Sequence, residues 1–242
     1  MDREQYWDLV EKARPRNNDP EAHCSALIRH LKRFPPAEIV NFEFIFWSLV
    51  KEAYRRDLWR VVYAINGGCS DDGFAYFRWW FVMQGQDVFE TALADPESLA
   101  EISGAAEELP ECEEYASVGW GAYEEATGEE MPDNRNLGGR ARLRGRWTRS
   151  KGGFRRKYPM LWRLQHDPPT IDPAWLKWKG WTVKRMAQTI HEERRWAELP
   201  ILADALEEAG CGEPFLLDHL RAGRRHARSC WVTYFLLRKK PR

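Results

Sequence analysis

A short polar string between two predicted helices carries side chains suited to chemistry. A glycine pair precedes Cys69, Ser70, Asp71 and Asp72. Because the start of a helix lowers the pKa of a nearby thiol, Cys69 could act as a nucleophile. Two carboxylates without further predicted ligands are too few to indicate a divalent metal site.

Catalysis by Cys69 would also require a base, and no histidine lies near it in the sequence. His23 or His30 could approach only through the fold, and the carboxylates of Asp71 and Asp72 oppose formation of a thiolate. We therefore interpret the string as a helix cap, keep catalysis as an alternative, and assign no catalytic residue.

Four residues near the C-terminal end are of the types that bind zinc: Cys211, His219, His226 and Cys230. Structural zinc sites usually take two ligands from a tight knuckle such as Cys-x-x-Cys, which this chain lacks. We therefore predict no metal site and no cofactor. Cys211 is expected to pack after a helix cap, and the spacing of His226 and Cys230 places them on one helix face.

A basic segment, NLGGRARLRGRWTRSKGGFRRK at residues 136–157, resembles arginine- and glycine-rich segments that bind RNA or DNA phosphates. Trp147 and Phe154 could stack on bases. The candidate phosphate-binding residues are Arg140, Arg142, Arg144, Arg146, Arg155, Arg156 and Lys157.

The formal net charge of zero hides two oppositely charged halves. Residues 1–134 hold 27 acidic and 12 basic residues, and residues 135–242 hold 10 acidic and 25 basic residues. The basic segment could therefore dock on the acidic half, within one chain or in a dimer, rather than on nucleic acid.

Thirteen tryptophans in 242 residues are more than one core is expected to hold. Trp79, Trp80, Trp120 and Trp196 cannot all be interior. Because tryptophan and arginine are enriched at interaction hot spots, the surplus favours a protein-binding or dimerising surface.

Apolar residues recur at spacings of three and four along the first hundred residues, which predicts amphipathic helices rather than strands. Asp19-Pro20 starts the second helix, Pro35-Pro36 starts a central third one, and Ser70 caps a nearly all-apolar fifth. Residues 132–153 lack this periodicity and predict a loop. The last apolar run, residues 230–237, predicts a helix, with a strand as the alternative.

These elements predict an all-α protein with a larger N-terminal bundle and a small C-terminal helical module. The expected division is an N-terminal domain at 1–131, a basic linker with a short helix at 132–170, and the module at 171–242. No run of 18 apolar residues occurs, and charges fill the first 15 residues, so we expect a cytoplasmic protein without membrane partners. Five widely spaced cysteines indicate reduced thiols.

DLWRVVYAINGGCSDDGFAYFRWWFVMQGQDVFETALADPESLA, at residues 57–100, resembles the signature of bacterial domain-of-unknown-function family 4240. The resemblance extends over roughly residues 1–165 and includes PPAEIVNFEFIFWSLVKEAY and YPMLWRL. It implies a helical bacterial domain and no particular chemistry. Residues 180–237 resemble a short helical module found at the ends of planctomycete proteins.

Composition and pattern together favour a non-enzymatic protein-interaction or regulatory protein with an unknown protein partner or a homodimer. The alternative is a nucleic-acid-binding accessory protein that uses Arg140 to Lys157. A third hypothesis is an enzyme with its site at Cys69 to Asp72.

Overall fold

The computed structural model describes residues 1–15, 19–103, 109–132, 142–146, 150–223, 226 and 229–237. The regular structure in these residues comprises fourteen α-helices and three 3₁₀ turns. Their only β feature is an isolated bridge between Arg55 and Arg144. The all-α prediction is confirmed. Every helix in the described part of the chain is too short or too polar to span a bilayer.

The chain divides into two units, and each unit combines two separate stretches of sequence. The N-terminal unit consists of Met1–Ala94 with Leu109–Trp147, and the C-terminal unit consists of Asp95–Glu108 with Thr148–Arg242. Residues 95–108 therefore group with the later part of the chain, a grouping that the acidic composition around them does not reveal. The domain boundaries at 131 and 170 stay predictions.

The helices of the N-terminal unit follow one another with short connections. They are α1 (Arg3–Lys12), α2 (Pro20–Leu31), α3 (Pro36–Glu52), α4 (Arg56–Ile65), α5 (Asp71–Val82), α6 (Gln86–Ala94) and α8 (Val118–Thr127), with a 3₁₀ turn at Glu114–Ser117 before α8.

Side chains at the helix starts explain where several of these elements begin. Asp2 and Gln5 form a reciprocal capping box at α1. Asp19 caps α2, whose first residue is Pro20, and Ser70 accepts a hydrogen bond from the Gly73 amide at the start of α5. Each cap satisfies an amide that the first turn of a helix leaves unbonded.

The core of the N-terminal unit is rich in aromatic side chains. Helix α3 packs against α1, α5 and α8, which gives it the central place expected from its apolar stripe. Helix α5 buries Phe74, Phe77, Trp80 and Phe81, whereas Trp79 on its other side remains partly exposed. A helix that is apolar nearly all round thus fills the core with one face and leaves aromatic surface on the other.

The C-terminal unit contains the remaining helices. They are α7 (Leu99–Ser103), α9 (Lys151–Lys157), α10 (Pro159–His166), α11 (Pro173–Glu193), α12 (Leu199–Glu208), α13 (Pro214–Arg221) and α14 (Trp231–Leu237), with 3₁₀ turns at Pro96–Ser98 and Trp196–Glu198.

Helix α11 is interrupted where the sequence predicts a tryptophan-rich turn. Backbone angles from Trp178 to Trp181 are not helical, and Lys179, Gly180 and Trp181 have positive φ values. Thr182 follows the break and donates a hydrogen bond to the carbonyl of Lys179.

Two segments of the chain differ from or refine the sequence-based expectation. Residues 132–153 were expected to form a loop, but α9 begins at Lys151 because Ser150 caps it through the Gly153 amide. The helix and strand alternatives for residues 230–237 are resolved in favour of helix α14, which packs against α7, α11 and α13.

Candidate functional site

Two tryptophans of the N-terminal unit line a groove, whereas others lie in its core. Trp7 and Trp80 are buried, whereas Trp47, Trp79 and Trp120 are partly exposed. A groove of about 610 Å³ is lined by Trp79, Glu113, Glu114, Ala116, Ser117 and Trp120. Two indole side chains and two carboxylates thus share one concave surface.

The first wall of the groove is built by α5 and by the indoles that pack on it. Trp79 contacts Tyr76 with ring centroids 5.1 Å apart and meets Trp47 edge to face at 5.9 Å. Because Tyr76 and Trp79 are three residues apart on α5, they occupy the same helix face.

The second wall is positioned by a buried carboxylate. Glu43 on α3 is 1% exposed, and its Oε1 accepts hydrogen bonds from the Nε1–H groups of Trp47 at 2.7 Å and Trp120 at 2.9 Å. Trp47 lies one helical turn after Glu43, whereas Trp120 comes from α8. A single carboxylate oxygen therefore orients two indoles. Trp120 lines the groove, and Trp47 packs against Trp79, which also lines it.

Close approach of α8 to this carboxylate requires a glycine. A Cβ on Gly119 would lie 2.3 Å from Glu43 Oε2 and 3.3 Å from Glu43 Cβ. The 2.3 Å separation would be a steric clash. The absence of a side chain at Gly119 therefore lets α8 pack against the carboxylate that Trp120 binds.

The mouth of the groove carries negative charge. Glu113 and Glu114 are exposed, and Glu114 Oε2 accepts a hydrogen bond from the Cys112 thiol at 3.0 Å. That bond lowers the pKa of Glu114, and the negative charge of Glu113 raises the pKa of the Tyr76 hydroxyl. Two carboxylates thus lie beside the two indoles, an arrangement that suits a cationic side chain.

The family comparison covers this part of the chain. A family model described as "Protein of unknown function (DUF4240)" matches residues 1–125. The chain belongs to the DUF4240 family. No curated protein and no solved structure matches the chain. The match ends before residue 165, so the resemblance expected over residues 126–165 is outside it.

The DUF4240 segment also contains the string from Cys69 to Asp72. Ser70 caps α5, and Asp71 and Asp72 lie in the first turn, where the helix dipole favours negative charge. Burial and the charges of Glu111 and Asp71 raise the pKa of the Cys69 thiol to about 11. This shift opposes formation of the thiolate that a nucleophile would need.

Of the two histidines considered as a base for Cys69, His23 is held by other partners. Both ring nitrogens of buried His23 are in hydrogen-bonded contact, Nδ1 with the Tyr115 hydroxyl at 3.0 Å and Nε2 with the Val10 carbonyl at 2.9 Å. Catalysis at Cys69 stays an untested hypothesis that the surrounding charges disfavour.

The candidate phosphate-binding residues fall into two groups. Arg140 lies outside the described residues. Arg142, Arg144 and Arg146 are exposed in the N-terminal unit, where the Arg144 backbone bonds to Tyr54 and Arg56. The other three candidates, Arg155, Arg156 and Lys157, are exposed on α9 of the C-terminal unit.

A second groove, of about 650 Å³, lies in the C-terminal unit. Its lining includes Arg155, Arg156 and Arg163 together with the aromatic residues Trp162 and Phe215. Arg163 lies over the Phe215 ring at 5.7 Å and 3.6 Å from Glu213, so part of its charge is compensated. Sequence spacing did not predict this groove, because its walls come from α9, α10 and the start of α13.

The residues considered for zinc are brought together only in part. His219, His226 and Cys230 converge, and Glu101 joins them, with donor atoms within 4.8 Å of one another. Cys211 is buried but is not a member of this cluster. Glu101 was missed by sequence reasoning because it lies 118 residues before His219.

Proposed function

We propose that the chain is a non-enzymatic interaction protein whose DUF4240 segment binds a basic segment of a partner protein. The observation that carries this proposal is the placing of Trp79 and Trp120 beside Glu113 and Glu114 in one groove. The stem of a lysine or arginine can pack on an indole while its charged end meets a carboxylate. A bacterial, cytoplasmic setting remains part of the proposal.

Charge complementarity favours a basic partner. Residues 1–134 carry 15 more acidic than basic residues, so the field of this half attracts cationic segments and speeds their encounter.

The energies of these contacts indicate what the partner must offer. A cation over an indole contributes about 0.5–2 kcal/mol and an exposed ion pair about 0–1 kcal/mol. Micromolar binding requires about 8 kcal/mol, so one lysine is not enough. We therefore expect a segment with several cations and an apolar side chain between them.

The proposal is tested with fluorescently labelled peptides that contain lysine, arginine and leucine, titrated with the full chain. Glutamate-containing peptides of the same length serve as the ligand control. We expect anisotropy to rise for basic peptides alone and the affinity to fall at least about tenfold in the Glu113→Gln, Glu114→Gln double variant, since both charges face the ligand.

The matched control is the Glu129→Gln, Glu130→Gln double variant, which removes the same charge from exposed positions outside the groove lining. It should weaken binding much less. Equal weakening by both double variants would show diffuse attraction without a site, and absence of binding by the unaltered chain would also reject the proposal.

A second candidate function is nucleic-acid binding, favoured by the arginine and aromatic lining of the groove in the C-terminal unit. Phosphates would meet Arg155 and Arg156, and a base could stack on Trp162. Generic single- and double-stranded RNA and DNA are titrated at several salt concentrations after nuclease treatment of the protein.

Two sets of substitutions separate the parts of the basic segment. Arg155→Ala with Arg156→Ala should reduce the slope of log affinity against log salt by up to about two if each side chain contacts one phosphate. Arg142→Ala, Arg144→Ala and Arg146→Ala test the exposed arginines of the N-terminal unit. If neither set of substitutions alters nucleic-acid binding, or if the unaltered chain does not bind nucleic acid, this function is rejected.

A further inference from the structure

Four side chains with metal-binding atoms meet in the C-terminal unit, and none of them lines the groove between Trp79 and Trp120. Sγ of Cys230 lies 3.4 Å from Nε2 of His219, which lies 3.4 Å from Oε1 of Glu101. Nδ1 of His226 lies 3.7 Å from Oε2 of Glu101. We propose that Glu101, His219, His226 and Cys230 bind one zinc ion.

Three separations between donor atoms match those of a tetrahedral zinc site, and the two that involve Glu101 are measured from its two different carboxylate oxygens. Zinc bonds of about 2.0–2.3 Å to nitrogen, oxygen and sulfur place pairs of ligand atoms roughly 3.3–3.8 Å apart in a tetrahedron. The three distances given above, 3.4, 3.4 and 3.7 Å, fall in this range. All four donor atoms lie within 4.8 Å of one another, so side-chain rotations would have to shorten the longer separations to bring them around one ion.

Burial distinguishes this cluster from a chance group of surface residues. Glu101, His219 and His226 are 7–8% exposed, and Cys230 is fully buried. Nδ1 of His226 is buried without a hydrogen-bond partner among the described residues. A buried polar nitrogen without a partner costs free energy, and a metal ion would use its lone pair.

The cluster has the surroundings of a metal centre. The Trp231 amide donates a hydrogen bond to Glu101 Oε2 at 3.0 Å, which orients the carboxylate and leaves Oε1 directed at His219. The rings of Trp231 and Trp196 lie 5.0 Å from His219 and 6.0 Å from His226. These rings pack against the two histidines of the cluster.

The types of ligand atom indicate which metal binds and whether the site is structural or catalytic. One thiolate, two imidazoles and one carboxylate suit zinc, whereas calcium and magnesium prefer oxygen alone. Four protein ligands leave no open position, which is typical of a structural site. Because the ligands come from α7, α13, the connection after it and the residue before α14, zinc would fix these elements together.

The chain spacing is compatible with this assignment. His226 and Cys230 are separated by three residues, a spacer length that zinc-binding pairs use. The prediction of no metal site relied on the absence of a Cys-x-x-Cys knuckle, and it did not consider that a glutamate distant in sequence could complete the set.

The test uses the full chain, stripped with a chelator and titrated with Zn²⁺ against a chromophoric competitor. We expect one zinc per chain and a higher melting temperature for the zinc-loaded protein. Co²⁺ in place of Zn²⁺ should give the visible bands of a tetrahedral site and a thiolate-to-cobalt charge-transfer band. That spectrum reports the cysteine ligand without any substitution.

Variants identify the ligands. Loss of a group that only orients a metal ligand already costs about 10–100-fold in metal affinity, so Cys230→Ser and His226→Gln should each weaken zinc binding more than about 100-fold. Cys211→Ser is the matched control, a buried cysteine outside the cluster, and should keep one zinc per chain.

The outcomes are decisive even if a variant does not fold. Stoichiometric zinc with a thiolate band in the unaltered chain, retained in Cys211→Ser, supports the site. No stoichiometric zinc binding by the unaltered chain, cobalt binding without a thiolate band, or zinc retained in folded Cys230→Ser would overturn it.

Discussion

The indole Nε1–H of Trp120 donates to Oε1 of Glu43 over 2.9 Å, across 77 residues of sequence. Trp47 donates to the same oxygen, so one buried carboxylate connects α3 to α8 and fixes a wall of the groove. A carboxylate removed from water is costly unless hydrogen bonds compensate it. The groove and the stability of the N-terminal unit therefore depend on the same contacts.

Gly119→Ala should destabilise the N-terminal unit. The added Cβ would lie 2.3 Å from Glu43 Oε2, so either the carboxylate or α8 must move, at an expected cost of about 1–3 kcal/mol in the free energy of unfolding. Gly121→Ala is the control in the same helix, because its Cβ would meet only Ile28 Cδ1 at 3.4 Å. Alanine there should be neutral or stabilising through helix propensity. Urea unfolding of both variants measures the difference, and equal effects would contradict the assignment.

Trp120→Phe and Trp47→Phe should separate stability from binding. Each substitution removes one indole N–H from Glu43, and loss of a hydrogen bond to a buried polar group costs about 1–3 kcal/mol. Trp120 lines the groove, whereas Trp47 is outside the groove lining and packs against Trp79. We therefore expect similar losses of stability but a larger loss of basic-peptide affinity for Trp120→Phe, measured by thermal unfolding and anisotropy. Equal losses of affinity would assign both indoles a purely structural role.

The local elements were predictable from the sequence, whereas the contacts of the sites were not. Asp19-Pro20 and Ser70 mark helix starts because capping is a short-range interaction. Glu43 appears in the sequence as a single acid in the apolar run FEFIFW, and only its spacing to Trp47 hints at a bond. Its second partner, Trp120, comes from another helix, and the meeting of Glu101 with His219 likewise depends on tertiary packing.

Cys69 should react slowly with iodoacetamide at neutral pH. Burial, followed by the charges of Glu111 and Asp71, raises its pKa from 9.0 to about 11, so about a hundredfold less thiolate forms at pH 7 than for the unshifted thiol. The alkylation rate should therefore rise with increasing pH and reach half of its maximum near pH 11. Mass spectrometry of the Cys69 peptide gives the profile, with Cys69→Ser as the assignment control. A half-maximum below pH 8 would instead support the nucleophile hypothesis.

Asn66→Ala should loosen the chain at Leu109 without altering the groove residues. The Asn66 side chain donates to the Leu109 carbonyl at 3.1 Å and accepts from the Leu109 amide at 2.8 Å. Because Leu109 is buried, losing both bonds leaves its backbone polar groups poorly satisfied, at about 1–3 kcal/mol. Hydrogen exchange at the Leu109 amide should accelerate in Asn66→Ala. Asn66→Asp keeps an acceptor for that amide and should preserve its protection better. Equal exchange in the two variants would show that the amide is protected by burial alone, and that Asn66 does not anchor this segment.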